Sequence, residues 1–192
     1  MQTLVVVDAQ NEFSPRGQRP VPNHAEALAA ICRRVDYARR EGRAIAWVRH
    51  HNRPDETPDA PAFVPGTWGA EFSPGLGPLP GRGEEVEFVK DVFGAFTGTN
   101  IDSWLEERRS DDVLIVGFFA HMCVSTTSRE ALMRGLRVAV DPEATGAFPI
   151  QHKLLGEQSA AEVHRTALLQ LSHLGVRIAP RGPAEASDEA AG

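Results

Sequence analysis

The chain has 192 residues, and its 20 Lys and Arg against 26 Asp and Glu leave a formal net charge of -6. That length is enough to bury a sizeable core in one domain, and an acidic balance without a basic block argues against a nucleic-acid partner. No stretch approaches the ~20 continuous apolar residues of a membrane span, and residues 1–7 are too short and lack the basic start of a signal peptide. A cytoplasmic protein with no membrane partner is therefore expected. The two cysteines do not suggest a disulfide framework.

Strand and helix patterns alternate along the chain. Residues 3–7 (Thr-Leu-Val-Val-Val) form an unbroken apolar run, and Asp8 follows at once. After a proline-containing loop from Ser14 to Pro22, Asn23 can cap a helix that runs to about Glu41, with Gly42 as its stop. Cys32 falls at helical spacing with Leu28, Ile31 and Val35 and is expected in the core, while Arg33-Arg34 and Arg39-Arg40 read as the wet face of that helix. Residues 43–48 form a second strand.

Residues 49–85 interrupt the rhythm with seven of the 14 prolines, at 54, 58, 61, 65, 74, 78 and 80. A loop of this length inside a compact domain is usually a lid, a substrate wall or a subunit contact, and otherwise a passive surface excursion. Its aromatics Phe63, Trp68 and Phe72 favour a wall or contact.

A third strand, 86–89, ends at Lys90, and a helix over 101–109 follows with Asn100 or Thr99 as its cap. Residues 113–124 then read as a buried strand that stops at Gly117, turns, and delivers Cys123 to the start of a helix running from Val124 to Arg134. A thiol there meets the positive end of the helix dipole and unpaired N–H groups, which favour the reactive thiolate. The competing reading is a small buried residue packing helix on sheet. Strand 136–140, a helix over 158–174 and a short strand at 176–178 complete the pattern, and Pro180 to Gly192 reads as a loose tail after a domain spanning 1–179.

Alternation of this kind predicts an α/β fold of three layers, α-β-α, with a mostly parallel sheet. In such a sheet the carboxyl ends of all strands open on one edge, where ligands bind near the reversal of strand order. Asp8 is most simply a turn residue and Lys90 a solvated charge. If their strands lie together with that of Cys123, however, a carboxylate, an ammonium and a thiol share one crevice and supply a base, a charge partner and a nucleophile.

Several segments in chain order carry a family likeness. They are Val7-Asp8-Ala9-Gln10-Asn11-Glu12-Phe13, Gly66-Thr67-Trp68-Gly69-Ala70-Glu71, Lys90-Asp91-Val92-Phe93-Gly94-Ala95-Phe96 followed by Thr99, Gly117 to Val124, and Asp141-Pro142-Glu143-Ala144-Thr145. Together the chain resembles the isochorismatase-like cysteine hydrolases, which include nicotinamidases and carbamoylsarcosine amidohydrolase. The resemblance implies a six-stranded sheet of order 3-2-1-4-5-6, with strands 1 and 4 at the switch point. It implies catalytic roles for Asp8, Lys90 and Cys123. It also implies a cis peptide bond at Phe119–Ala120 that aims the Ala120 and Cys123 N–H groups at an oxyanion. Substrate contacts are expected from Phe13, Trp68, Phe93, Phe119 and His121, and a homo-oligomer, dimer or tetramer, from the habit of relatives.

The expected chemistry is cleavage of a small amide. Asp8 takes the thiol proton, the thiolate attacks the carbonyl, ammonia or an amine leaves, and water hydrolyses the thioester. Nicotinamidases hold a metal with an Asp-x-His after strand 2, whereas this chain reads Arg49-His50-His51-Asn52, so no metal and no other cofactor is expected. His50 or His51 could instead hydrogen-bond a substrate. Ala120-His121 resembles the elbow of true isochorismatases, which cleave a vinyl ether with the Asp as general acid; that chemistry is the alternative. A binding module that keeps the fold without catalysis is the remaining reading.

Overall fold

The computed structural model describes residues 2–52 and 62–179; the prolines at 54, 58 and 61 and the tail from 180 lie outside the described residues. Its elements in chain order are β1 (Gln2–Val7), α1 (His24–Arg40), β2 (Ile45–His50), β3 (Glu85–Lys90), α2 (Ile101–Glu107), β4 (Asp112–Phe118), α3 (Cys123–Met133), β5 (Arg137–Gly146), β6 (Ile150–His152), β7 (Gly156–Gln158), α4 (Ala160–His173) and β8 (Arg177–Ile178).

Six strands form one parallel sheet in the order β3-β2-β1-β4-β5-β8. This is the expected order, the last strand being numbered eighth because a short antiparallel hairpin, β6–β7, precedes α4. The sequence reading missed that hairpin. Its six residues are all exposed, so no burial alternation marks them, and Leu154 and Leu155 at its tip are 88% and 86% exposed.

Both faces of the sheet are covered, which explains why β1 is apolar from Leu4 to Val7 instead of alternating. Successive side chains point to opposite faces. Leu4 and Val6 join α1 residues Ala27, Ala30, Ile31, Val35 and Ala38 in one core, while Val5 and Val7 join Ile101, Trp104, Val124, Ala131 and Leu171 in the other. At ~25 cal/mol per Å² of apolar surface, these two layers are the main stabilising contribution.

Several local expectations change. Cys32 is only partly buried, at the margin of the α1 seam. Arg34 is buried and pairs with Asp141 at 2.6 Å, and Arg39 pairs with Glu85 at 2.9 Å, so half of the supposed wet face ties α1 to the sheet. Asn23 sits at the N-cap of α1, yet its amide donates to the Thr145 carbonyl at 3.3 Å rather than capping the helix. β5 runs on to Gly146 through Pro142, beside a register shift against β4 between Ile115 and Gly117, a place where a strand tolerates proline. Ser159 and Glu162 form a reciprocal capping box that fixes the start of α4 two residues later than the spacing suggested.

Candidate active site

Three strand ends meet at one edge of the sheet. β1 pairs with β4 from Gln2↔Asp112 to Val7↔Gly117, which places Asp8 beside the turn that leads to Cys123. Gly117 makes this approach possible. Its φ is 120°, and a Cβ there would lie 1.8 Å from the Val7 carbonyl oxygen, so any side chain would push the two strand ends apart. Asp8 itself turns out of β1 with a positive φ of 52°, a conformation Asp tolerates better than β-branched residues do.

Lys90 arrives from further away. β2 lies between β1 and β3, so the three strands are not immediate neighbours, and two strand spacings amount to about 10 Å. The long Lys90 side chain crosses the end of β2, where its register partner is His50. Its ammonium donates to Asp8 Oδ2 at 2.8 Å and to Cys123 Sγ at 3.4 Å, and lies 3.1 Å from His50 Nδ1. An ammonium has no lone pair, so His50 Nδ1 accepts, and Nε2 carries the proton donated to Asn52 Oδ1 at 2.7 Å. Sequence reasoning gave His50 no part beside Asp8, Lys90 and Cys123; the signal available was its place as the last residue of the strand between those of Asp8 and Lys90. Gln10 braces the same corner, donating to the carbonyls of His50 and Ala70 and accepting from the His50 N–H.

The site is dry. Asp8, Lys90 and Cys123 are 0%, 3% and 7% exposed. Asp8 Oδ1 is buried without a hydrogen-bond partner among the described residues. Burial opposes the Lys90 charge, but Asp8 and Cys123 outweigh it and hold the ammonium above its ordinary value. Burial and then the Asp8 charge push the Cys123 thiol up, and Lys90 only partly offsets them. The resting sulfur is thus a thiol, contrary to the thiolate expected from its place at the start of α3. Desolvation is the larger effect, since a helix terminus contributes at most ~2 kcal/mol. Burial and the Lys90 charge likewise push His50 down, keeping it neutral.

The elbow departs from expectation in two respects. The cis peptide bond is Phe118–Phe119, one bond before the predicted Phe119–Ala120. The Ala120 N–H, predicted to serve the oxyanion, is already spent on the Gly146 carbonyl at 2.8 Å. The turn is closed by Met122 and Val124 N–H groups on the Phe119 carbonyl. Among the described residues, the N–H groups of Phe119 and Cys123 enter none of these turn bonds.

A cavity of about 650 Å³ opens onto Cys123. Of the predicted substrate contacts, Phe13, Phe93 and Phe119 line it, joined by Phe63, which the sequence suggested for a wall or contact, and by Met122 and Phe148, which sequence reasoning did not assign. Phe13 packs against Phe63 at 5.1 Å and Phe119 at 4.7 Å, and Phe119 against Phe148 at 4.7 Å, forming a continuous aromatic wall. Gln18, Arg19, Pro20, His50, Asn52 and Pro149 complete the lining. Phe93 is half exposed at the mouth, in a segment clamped onto α3 by bonds from the Ala95 N–H to Thr127 and from the Phe96 N–H to Glu130.

Trp68 and His121 do not line the cavity. Trp68 is 47% exposed, with the Arg16 guanidinium 4.9 Å above its ring. His121 packs on Phe148 at 4.8 Å, behind the wall, and both its ring nitrogens lack a partner among the described residues.

Residues 2–180 match the family model described as the isochorismatase domain. The chain belongs to the isochorismatase family, a family of hydrolases. It is 35% identical over 144 residues to a secreted isochorismatase effector of Verticillium dahliae, covering 74% of this chain and 71% of that protein. It is 30% identical to a nicotinamidase/pyrazinamidase of Mycobacterium tuberculosis over 89% of this chain and 98% of that one. The crystal structure of an isochorismatase from Pseudomonas putida superposes with a TM-score of 0.84 at 31% identity, covering 93% of this chain and 87% of its own.

The metal set of nicotinamidases does not fit this member of the family. Both ring nitrogens of His50 are engaged, and no group of three His, Cys, Asp or Glu converges among the described residues.

Proposed function

We propose that this isochorismatase-family protein hydrolyses the C–N bond of a small amide through a thioester on Cys123. The observation that carries this reading is the arrangement of three buried groups at one cavity: a thiol, an ammonium within 3.4 Å of its sulfur, and a carboxylate on the same ammonium at 2.8 Å whose other oxygen has no hydrogen-bond partner among the described residues. A buried carboxylate lone pair costs free energy unless something uses it. Here it is a ready acceptor for the thiol proton.

Asp8 Oδ1 takes that proton as Sγ attacks the carbonyl carbon. A thiol held neutral until substrate arrives is compatible with this, because proton loss and carbon–sulfur bond formation occur together. The developing oxyanion is received by the N–H groups of Cys123 and Phe119, one donor of this kind being worth about 2.7–4 kcal/mol. The C–N bond breaks, and ammonia leaves with the proton returned by Asp8. Water, deprotonated by the same carboxylate, then cleaves the thioester to give the acid and restore the thiol. Lys90 holds Asp8 in place and neutralises the charge that the sulfur and carboxylate would otherwise share.

Vinyl-ether hydrolysis would leave Cys123 and its contact with Lys90 without a role, and His121, which suggested it, packs away from the cavity. Ammonia release from a panel of small primary amides, with wild type beside Cys123→Ala, tests the proposal. Release that falls by at least about 10⁴-fold in the variant is expected. Full turnover by Cys123→Ala would refute the covalent route.

A further inference from the structure

The cavity is asymmetric in charge. Its walls are aromatic, and among the described residues no Asp or Glu lines it and Arg19 is the single cationic side chain in the lining. Arg19 forms no hydrogen bond or ion pair through its guanidinium among the described residues, and the Glu12 carboxylate feels its field. Its neighbour Arg16 differs, since that guanidinium is stacked on Trp68.

The loop that carries Arg19 is fastened. The Glu12 carbonyl accepts the Arg19 N–H at 3.1 Å, the Glu12 carboxylate accepts the Gln18 N–H at 3.2 Å, and Ser14 accepts the Gly17 N–H at 2.9 Å. Glu12 is 4% exposed, so an acidic side chain is buried largely to pin the backbone on either side of Gln18. An exposed arginine that served only solubility would need no such support.

Resting on the amide-hydrolase reading, we propose that Arg19 is the anion-binding end of the substrate pocket. The substrate is then a flat primary amide bearing a carboxylate remote from the scissile carbonyl. The amide carbon sits at Cys123, the planar body lies along Phe13, Phe63 and Phe119, and the carboxylate meets the Arg19 guanidinium, whose planar donors match it. Arg19 acts in specificity, and Glu12 is its positioning residue.

The test compares 4-carbamoylbenzoate and fumaramate with their neutral counterparts, benzamide and crotonamide, in wild type, Arg19→Met and Arg19→Lys. Wild type is expected to favour the acids in kcat/KM by at least about tenfold. Arg19→Met should erase that preference by raising KM for the acids far more than for the neutral amides, and Arg19→Lys should restore part of it. An acid-to-neutral ratio that is the same in wild type and Arg19→Met overturns the proposal and leaves the amide reading intact.

Calorimetric binding of 4-carbamoylbenzoate to Cys123→Ala, with and without Arg19→Met, separates the two claims. Arg19-dependent binding without ammonia release by wild type supports the anion subsite and contradicts the amide chemistry. Neither binding nor turnover of either acid overturns the substrate class.

Discussion

Two buried ion pairs in this protein look alike and behave differently. Lys90–Asp8 closes at 2.8 Å with side chains 0% and 1% exposed, and Arg34–Asp141 at 2.6 Å with side chains 7% and 3% exposed. In the second pair both carboxylate oxygens are used: Oδ2 accepts from Arg34, and Oδ1 from the Glu143 N–H. In the first, Asp8 Oδ1 has no partner among the described residues, and the cation reaches a third group, the Cys123 sulfur. Burial of opposite charges therefore does not separate the two pairs. On the proposed mechanism the difference is a lone pair left open beside a thiol, whereas a satisfied pair such as Arg34–Asp141 is a fastening between α1 and β5.

The sharpest way to break that comparison is to neutralise each carboxylate in turn. Asp8→Asn should lower kcat by roughly 10²–10⁴-fold, since an amide cannot take the thiol proton. Asp141→Asn should leave kcat within about threefold but lower stability by about 3–5 kcal/mol, because Arg34 then stays buried without its counter-charge. Circular dichroism and urea denaturation beside the kinetics check both halves. An Asp141→Asn that matched Asp8→Asn in lost kcat at equal foldedness would erase the distinction.

A smaller effect concerns alkaline pH. Cys123 and Lys90 both hold their protons more tightly folded than unfolded. The unfolded thiol releases its proton from about pH 8.5, so the folded state gives up stability as pH rises past that value and further past the unfolded lysine value of about 10.4. Cys123→Ala should reduce the earlier part of the decline, the remainder belonging to Cys32, whose partly buried thiol is also pushed up. Urea midpoints measured from pH 7 to 10 read this directly; a wild-type slope no steeper than that of the variant would count against the buried neutral thiol.

The frame of this site was legible because strand ends are easy to see. Apolar runs that stop at Asp8, Lys90 and Gly117 mark carboxyl edges of strands, and the alternating elements order them. Contacts that cross the sheet were less visible. His50 meets Lys90 only because β2 intervenes, and a spacing pattern does not say which strand lies between two others. Arg34 looked solvated because helical periodicity places it near the apolar seam without revealing that Asp141 waits opposite. The thiol's protonation was misjudged for a related reason: the helix start is written in the sequence, while the burial that outweighs it is set by packing. Arg19 sits in a loop with no periodicity at all, and only the cavity wall gives it meaning.

The most direct test of the central claim is the intact mass of the protein, acid-quenched during turnover of a primary amide that it hydrolyses. The account predicts a mass increase equal to the acyl group, located on the peptide that contains Cys123 and absent from Cys123→Ala. Steady turnover with no acyl adduct, and with activity retained in Cys123→Ala, would contradict it.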